Sequence, residues 1–118
     1  MKYIKIAALT AFVLIVFSCT TYTPGSGDQN TTPPANQVNI QGFAFLPLTL
    51  TVLTGTTVTW KNFDSAAHTA TGTTAVQMFD SGSIAQGNTY SFKFTLAGTN
   101  NYNCTFHPAM TGMIIVTN

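Results

Sequence analysis

The 118-residue chain has no arginine and no glutamate, and its charge rests on four Lys and three Asp, for a net +1. Two of the lysines are Lys2 and Lys5, so the rest of the chain cannot assemble the basic patch that neutralises phosphates. That argues against nucleic-acid binding. The signature of disorder, low hydrophobicity with high net charge, is also missing, because 45% of the residues are hydrophobic. Reactive groups are scarce: two Cys (Cys19, Cys104) and two His (His68, His107). At the N-terminus a signal h-region fits better than a transmembrane helix. The apolar run Ile6–Phe17, broken only by Thr10, spans roughly 18 Å as a helix, against a hydrocarbon core of about 30 Å.

What is there divides the chain into three. Lys2 and Lys5 followed by the short apolar run read as an export signal over residues 1–18. The sequence Val16-Phe17-Ser18-Cys19 resembles a bacterial lipoprotein signal, which implies that Cys19 is lipidated and becomes the mature N-terminus. Residues 19–36 are rich in Thr, Pro, Gly, Ser, Asn and Gln, with Tyr22 as the one large apolar side chain. Such a segment cannot bury a face and is expected to be a flexible linker. The expected location is a bacterial cell-envelope membrane, with the lipid as anchor and the protein facing the periplasm or the exterior.

Residues 37–118 form the expected folded domain. Val38 and Ile40, Val58 and Trp60, and Tyr90, Phe92, Phe94 and Leu96 alternate with polar residues. A period of two means strands with one buried face. Gly55, Gly72, Gly82, Gly87 and Gly98 fall between the runs at turn-like spacing. No helical period stands out, so the pattern predicts a small antiparallel β-sandwich or barrel.

The chemistry concentrates in Cys104-Thr105-Phe106-His107-Pro108-Ala109-Met110. A thiolate, an imidazole and a thioether fall within seven residues on an inter-strand loop, and His68 lies far upstream. Two nitrogens and two sulfurs suit copper: soft sulfur favours Cu(I), imidazole favours Cu(II), and a weak axial Met tolerates both. Structural zinc rarely uses Met. Taken singly, each residue has a plainer reading. Cys104 could be a buried small apolar residue or pair with Cys19, Met110 could fill the core as expected for Met78 and Met113, and His68 could be an ordinary loop His.

Taken together, the residues resemble the cupredoxin family of blue copper proteins, most closely its amicyanin and plastocyanin branches. Gly55-Thr56-Thr57-Val58-Thr59-Trp60-Lys61-Asn62, the six-residue step from Asn62 to His68, Asp80-Ser81-Gly82, and the two-residue gaps in the Cys104, His107, Met110 loop carry the likeness. It implies an all-β Greek-key sandwich of about eight strands with one type 1 copper at one end. It implies ligation by His68 Nδ1, Cys104 Sγ, His107 Nδ1 and Met110 Sδ. It further implies that Asn62 ties the His68 loop to the Cys104 loop, with its backbone N–H on the sulfur. Where relatives carry Pro two residues after the Cys, this chain has Phe106, whose N–H is expected to give Cys104 Sγ a second hydrogen bond.

The function implied is electron transfer rather than catalysis, by a monomer whose redox partner proteins dock near His107, the exposed ligand of the family. Pro108, Ala109, Ala66 and Ala67 are expected to form a small apolar rim around it. The alternative is an envelope copper-binding protein for storage, delivery or resistance, which prefers an exposed and exchangeable site.

Overall fold

The protein, examined as a computed structural model, is described over residues 33–118. The export signal, the lipidation of Cys19 and most of the linker fall outside those residues. Eight strands follow in order: β1 (Gln37–Ile40), β2 (Phe45–Leu46), β3 (Thr49–Leu53), β4 (Thr56–Asn62), β5 (Thr71–Ala75), β6 (Thr89–Phe94), β7 (Gly98–Asn103) and β8 (Thr111–Thr117). There is no helix among the described residues. The strands form two four-stranded sheets, β2-β1-β4-β6 and β3-β8-β7-β5. The chain changes sheet at five of its seven connections, so each sheet is assembled from distant segments.

The sandwich is mixed, not purely antiparallel as the strand pattern predicts: β1 pairs parallel with β4, and β3 pairs parallel with β8. Alternation alone cannot distinguish the two, because both pairings show a period of two when one face is buried. Strand β4 shows that period most clearly, with Val58, Trp60 and Asn62 buried and their neighbours less so. Trp60 is the centre of the core. It stacks on Phe79 at 5.2 Å between ring centroids and meets Tyr102 edge-on at 5.5 Å. Ile40, Phe45, Phe94, Ile114 and Val116 complete the apolar filling between the sheets.

Three expectations need correction. Strand β6 ends at Phe94, and Leu96 lies beyond it, 53% exposed. Gly72 marks no turn; it sits inside β5, where the pairing with β7 shifts register. Met78 fills no core position, because the segment after β5 leaves it 64% exposed.

Since β1 and β4 are parallel, their C-terminal ends lie at the same end of one sheet. The loops that leave them meet the loop that follows β7 in the other sheet. All the candidate ligands lie on or beside these loops.

Candidate metal centre

The loop between β7 and β8 is built from two successive turns. The His107 N–H donates to the Cys104 carbonyl at 3.2 Å, and the Met110 N–H donates to the His107 carbonyl at 2.8 Å. Pro108 occupies the second position of the latter turn, where its fixed φ is favoured. Repeated i→i+3 turns bring side chains three apart to the same side, which is the physical meaning of the two-residue gaps. A third bond, from the Cys104 N–H to the Met110 carbonyl at 3.0 Å, closes the loop at its base. Cys104 and Met110 are buried, while His107 is only partly so.

His68 lies on the connection from β4 in one sheet to β5 in the other. Its backbone exchanges two hydrogen bonds with Ile84, N–H to carbonyl at 3.2 Å and carbonyl from N–H at 2.7 Å. The ring is fully buried. Cys104 Sγ lies 3.7 Å from His68 Nδ1 and 3.6 Å from His107 Nδ1. All three donor atoms are within 4.8 Å of one another. With bonds of about 2.3 Å to thiolate and about 2.0 Å to imidazole, as zinc shows, such N···S separations subtend roughly 115° at an ion. That lies between tetrahedral and trigonal angles, so the sulfur and either imidazole fit one metal ion as they stand, and the trio is close enough to converge on it.

Around these donors is a layer of hydrogen bonds that the sequence reading largely missed. Asp64 Oδ2 lies 2.9 Å from His68 Nε2. An Nε2–H held by a carboxylate leaves the Nδ1 lone pair free and aimed at the sulfur. The same carboxylate accepts the N–H groups of Gly42 at 2.7 Å and Phe43 at 2.9 Å. Partial burial pushes the Asp64 carboxyl up, but the Phe43 and Gly42 donors, followed by His68, outweigh it and hold the group below the ordinary carboxylate range. The detectable signal was an acid four residues before the His in a domain with only two acids. Phe43 and Thr69 carried no such signal.

Asn62 is fully buried, but it does not reach the Cys104 loop. Its Nδ2 donates to the carbonyls of Ala66 at 2.8 Å and Ile84 at 2.9 Å, and its Oδ1 accepts the Asp64 N–H at 2.9 Å. Its own N–H goes to the Asn88 carbonyl. Asn62 therefore shapes the loop that presents Asp64 and His68, and Thr69 ties the two loops together. The Thr69 N–H points at Cys104 Sγ at 3.3 Å, and Thr69 Oγ1 accepts the Thr105 N–H at 2.8 Å. The Phe106 N–H makes no hydrogen bond to Cys104 Sγ; its side chain is instead 54% exposed beside His107. Thr69 supplies the one backbone donor to the sulfur among the described residues.

Residues 34–117 match the sequence profile of the copper binding proteins of the plastocyanin/azurin family. Amicyanin-alpha of Methylorubrum extorquens is 30% identical over 85 residues, which covers 70% of this chain and 71% of that protein. Among solved structures, a purple cupredoxin from Nitrosopumilus maritimus superposes with a TM-score of 0.65 at 30% identity, over 69% of this chain and 98% of that one. A copper-containing nitrite reductase from Thermus scotoductus gives a TM-score of 0.67 at 29% identity, over 70% of this chain and only 22% of the enzyme.

Proposed function

The chain belongs to the plastocyanin/azurin family of copper-binding proteins, with one type 1 copper as its cofactor, and from this premise we propose that it is an electron carrier working between redox partners at a bacterial cell envelope. The observation that carries this reading is the buried donor trio of His68, Cys104 and His107, in which only the His107 side chain is partly open to solvent. The bound copper would supply one-electron Cu(II)/Cu(I) chemistry. His68, Cys104 and His107 would hold it, with Met110 as the weak fourth ligand.

The protein's part is to keep those ligands still. Backbone bonds fix His68 to Ile84 and close the Cys104–Met110 loop, and Thr69 joins the two. Ligands that need not move between oxidation states keep the barrier to electron exchange low. A buried sulfur with a pinned loop suits a resident ion better than one handed over in storage or delivery.

His107 is the natural exit for the electron. Phe106, Pro108 and Ala109 surround it on its own loop and are exposed. Such a small apolar rim supports brief contact with a partner and rapid release. The fold likeness to nitrite reductase covers only 22% of that enzyme. Both His of this chain fall in one cluster, leaving no imidazole for a second metal centre, so we favour a carrier over an enzyme. The lipoprotein-type signal supports the envelope location and a membrane anchor through Cys19.

The test is a visible spectrum of residues 20–118 with one equivalent of Cu(II). The expected result is an intense band near about 600 nm that ascorbate bleaches, as a thiolate–copper site with two imidazoles requires. A colourless copper complex would overturn the reading.

A further inference from the structure

We propose that Phe43 is a positioning residue of the copper centre: its ring holds the His107 imidazole in place from outside the ligand set. The inference rests on the copper reading above. The Phe43 ring meets His107 edge-on at 5.0 Å and 89°, and His68 at 5.2 Å and 82°. It also borders, with Met110, a small cavity of about 190 Å³. One side chain thus touches or flanks three of the four proposed ligands.

The backbone there shows that the placement is imposed rather than incidental. Gln41 and Ala44 exchange N–H···O bonds across Gly42-Phe43, so these two residues form the tight turn between β1 and β2. Both have positive φ, +62° at Gly42 and +58° at Phe43. A turn of this kind prefers Asn-Gly, and a bulky residue in its second position is disfavoured. Phe43 is the one non-glycine residue described with positive φ. The Asp64 carboxylate holds the strained turn through the Gly42 and Phe43 N–H groups while it orients His68. A local preference overridden beside a functional site points to a use for the side chain.

The use follows from an asymmetry between the imidazoles. His68 is locked by Asp64 on its outer nitrogen. Among the described residues, the His107 ring has no such partner, only Cys104 Sγ and the Phe43 and His68 rings. Phe43 therefore supplies for His107 the restraint that Asp64 supplies for His68. Its ring contributes little to the core, being 55% exposed.

The experiment compares the full chain with Phe43→Gly and Phe43→Tyr. Three quantities are measured: the thermal midpoint of the metal-free protein, the visible spectrum with Cu(II), and the rate of Cu(I) capture by bathocuproine disulfonate. Glycine accepts the positive φ, so the metal-free midpoint of Phe43→Gly should equal or exceed that of the wild type. Its copper band should change in position or intensity, and Cu(I) capture should run about three- to tenfold faster, the factor that an aromatic edge contact supports. Phe43→Tyr should restore wild-type behaviour. An unchanged spectrum and capture rate in Phe43→Gly would overturn the proposal. So would a metal-free midpoint that falls with the copper effects, since Phe43 would then act through the fold. A wild-type protein without the intense band would instead overturn the copper reading itself.

Discussion

The backbone N–H of Thr69 lies 3.3 Å from Cys104 Sγ, and it is the backbone link between the His68 segment and the Cys104 loop. A hydrogen bond to a thiolate stabilises its charge and weakens its donation to Cu(II), so it raises the reduction potential. Thr69→Pro removes the donor and should lower the potential, on the order of 65–130 mV for a bond of ordinary charge-assisted strength. Thr69→Ala keeps the N–H but orphans the Thr105 N–H, and should cost about 1 kcal/mol of stability at nearly constant potential. Voltammetry and thermal melts on both variants separate the effects. An equal fall in potential for both would assign it to the loop tie rather than to the donor.

This arrangement also shows how far the residues alone could be read. Cys104, His107 and Met110 were legible because their spacing matches consecutive turns, and a turn is a local object. Trp60 and Val58 were legible because burial on one face imposes a period of two. Thr69 was not, because its contribution to Cys104 is a backbone N–H, which every residue but Pro possesses. The role expected for Asn62 went to Thr69 for the same reason: sequence shows which side chains are present, not which loop each amide faces. Phe43 was hidden more deeply. Its turn runs against local preference, and what supports it is Asp64, twenty-one residues away. The parallel pairings of β1 with β4 and β3 with β8 were hidden because alternation carries no direction.

Asp64 accepts three donors from two loops, so its removal should be felt by the metal more than by the core. Asp64→Ala leaves His68 Nε2 without a partner and frees the Gly42-Phe43 turn. Loss of such an outer partner typically costs about 10- to 100-fold in metal affinity. Competition with a chelator of known copper affinity would measure it. Affinity within about twofold of wild type would mean that the Ile84 backbone pairing alone orients His68.

Gly112 faces Tyr102 across the β7–β8 pair. A Cβ built on Gly112 would clash with both the hydroxyl oxygen and Cζ of Tyr102. The ring cannot retreat easily, because Phe45 and Trp60 pack against it at 4.6 and 5.5 Å. Gly112→Ala should therefore destabilise by about 2–3 kcal/mol, the upper part of the overpacking range. Adding Tyr102→Leu should recover part of the loss. Urea titration of the two single variants and the double variant would reveal the coupling; simple additivity would mean that β8 shifts to absorb the methyl group.

Charge makes little contribution to the way this protein meets others. From residue 37 onward the ionisable acids and lysines are Asp64, Asp80, Lys61 and Lys93, and Asp64 is already committed to Gly42, Phe43 and His68. Weak fields give little steering. Electron self-exchange between oxidised and reduced protein, read from NMR line broadening, should therefore change less than about threefold between low and high salt. A steep dependence would mean that contact is made through a charged face rather than through the apolar rim at His107.

The Tyr102 hydroxyl is buried with no well-aligned hydrogen-bond partner among the described residues, the Trp60 indole N–H beside it falling short of good geometry, which makes it a cost to the fold rather than a support. Removing an unpartnered buried hydroxyl is neutral or favourable, so Tyr102→Phe should be as stable as wild type or more so by about 1 kcal/mol near neutral pH. The difference should then grow with alkalinity. Burial pushes the Tyr102 phenol well above its ordinary range, whereas in the unfolded chain it titrates near about 10. Above that pH the unfolded state sheds the proton and the folded state keeps it, so wild-type stability falls by up to about 1.4 kcal/mol per pH unit until the folded phenol itself ionises. Phenylalanine lacks that proton and escapes this share of the loss. Denaturant titrations at about pH 8 and about pH 11 should show the variant's advantage widening by about 1 kcal/mol. A constant difference would mean that Tyr102 is reached by solvent before the fold opens.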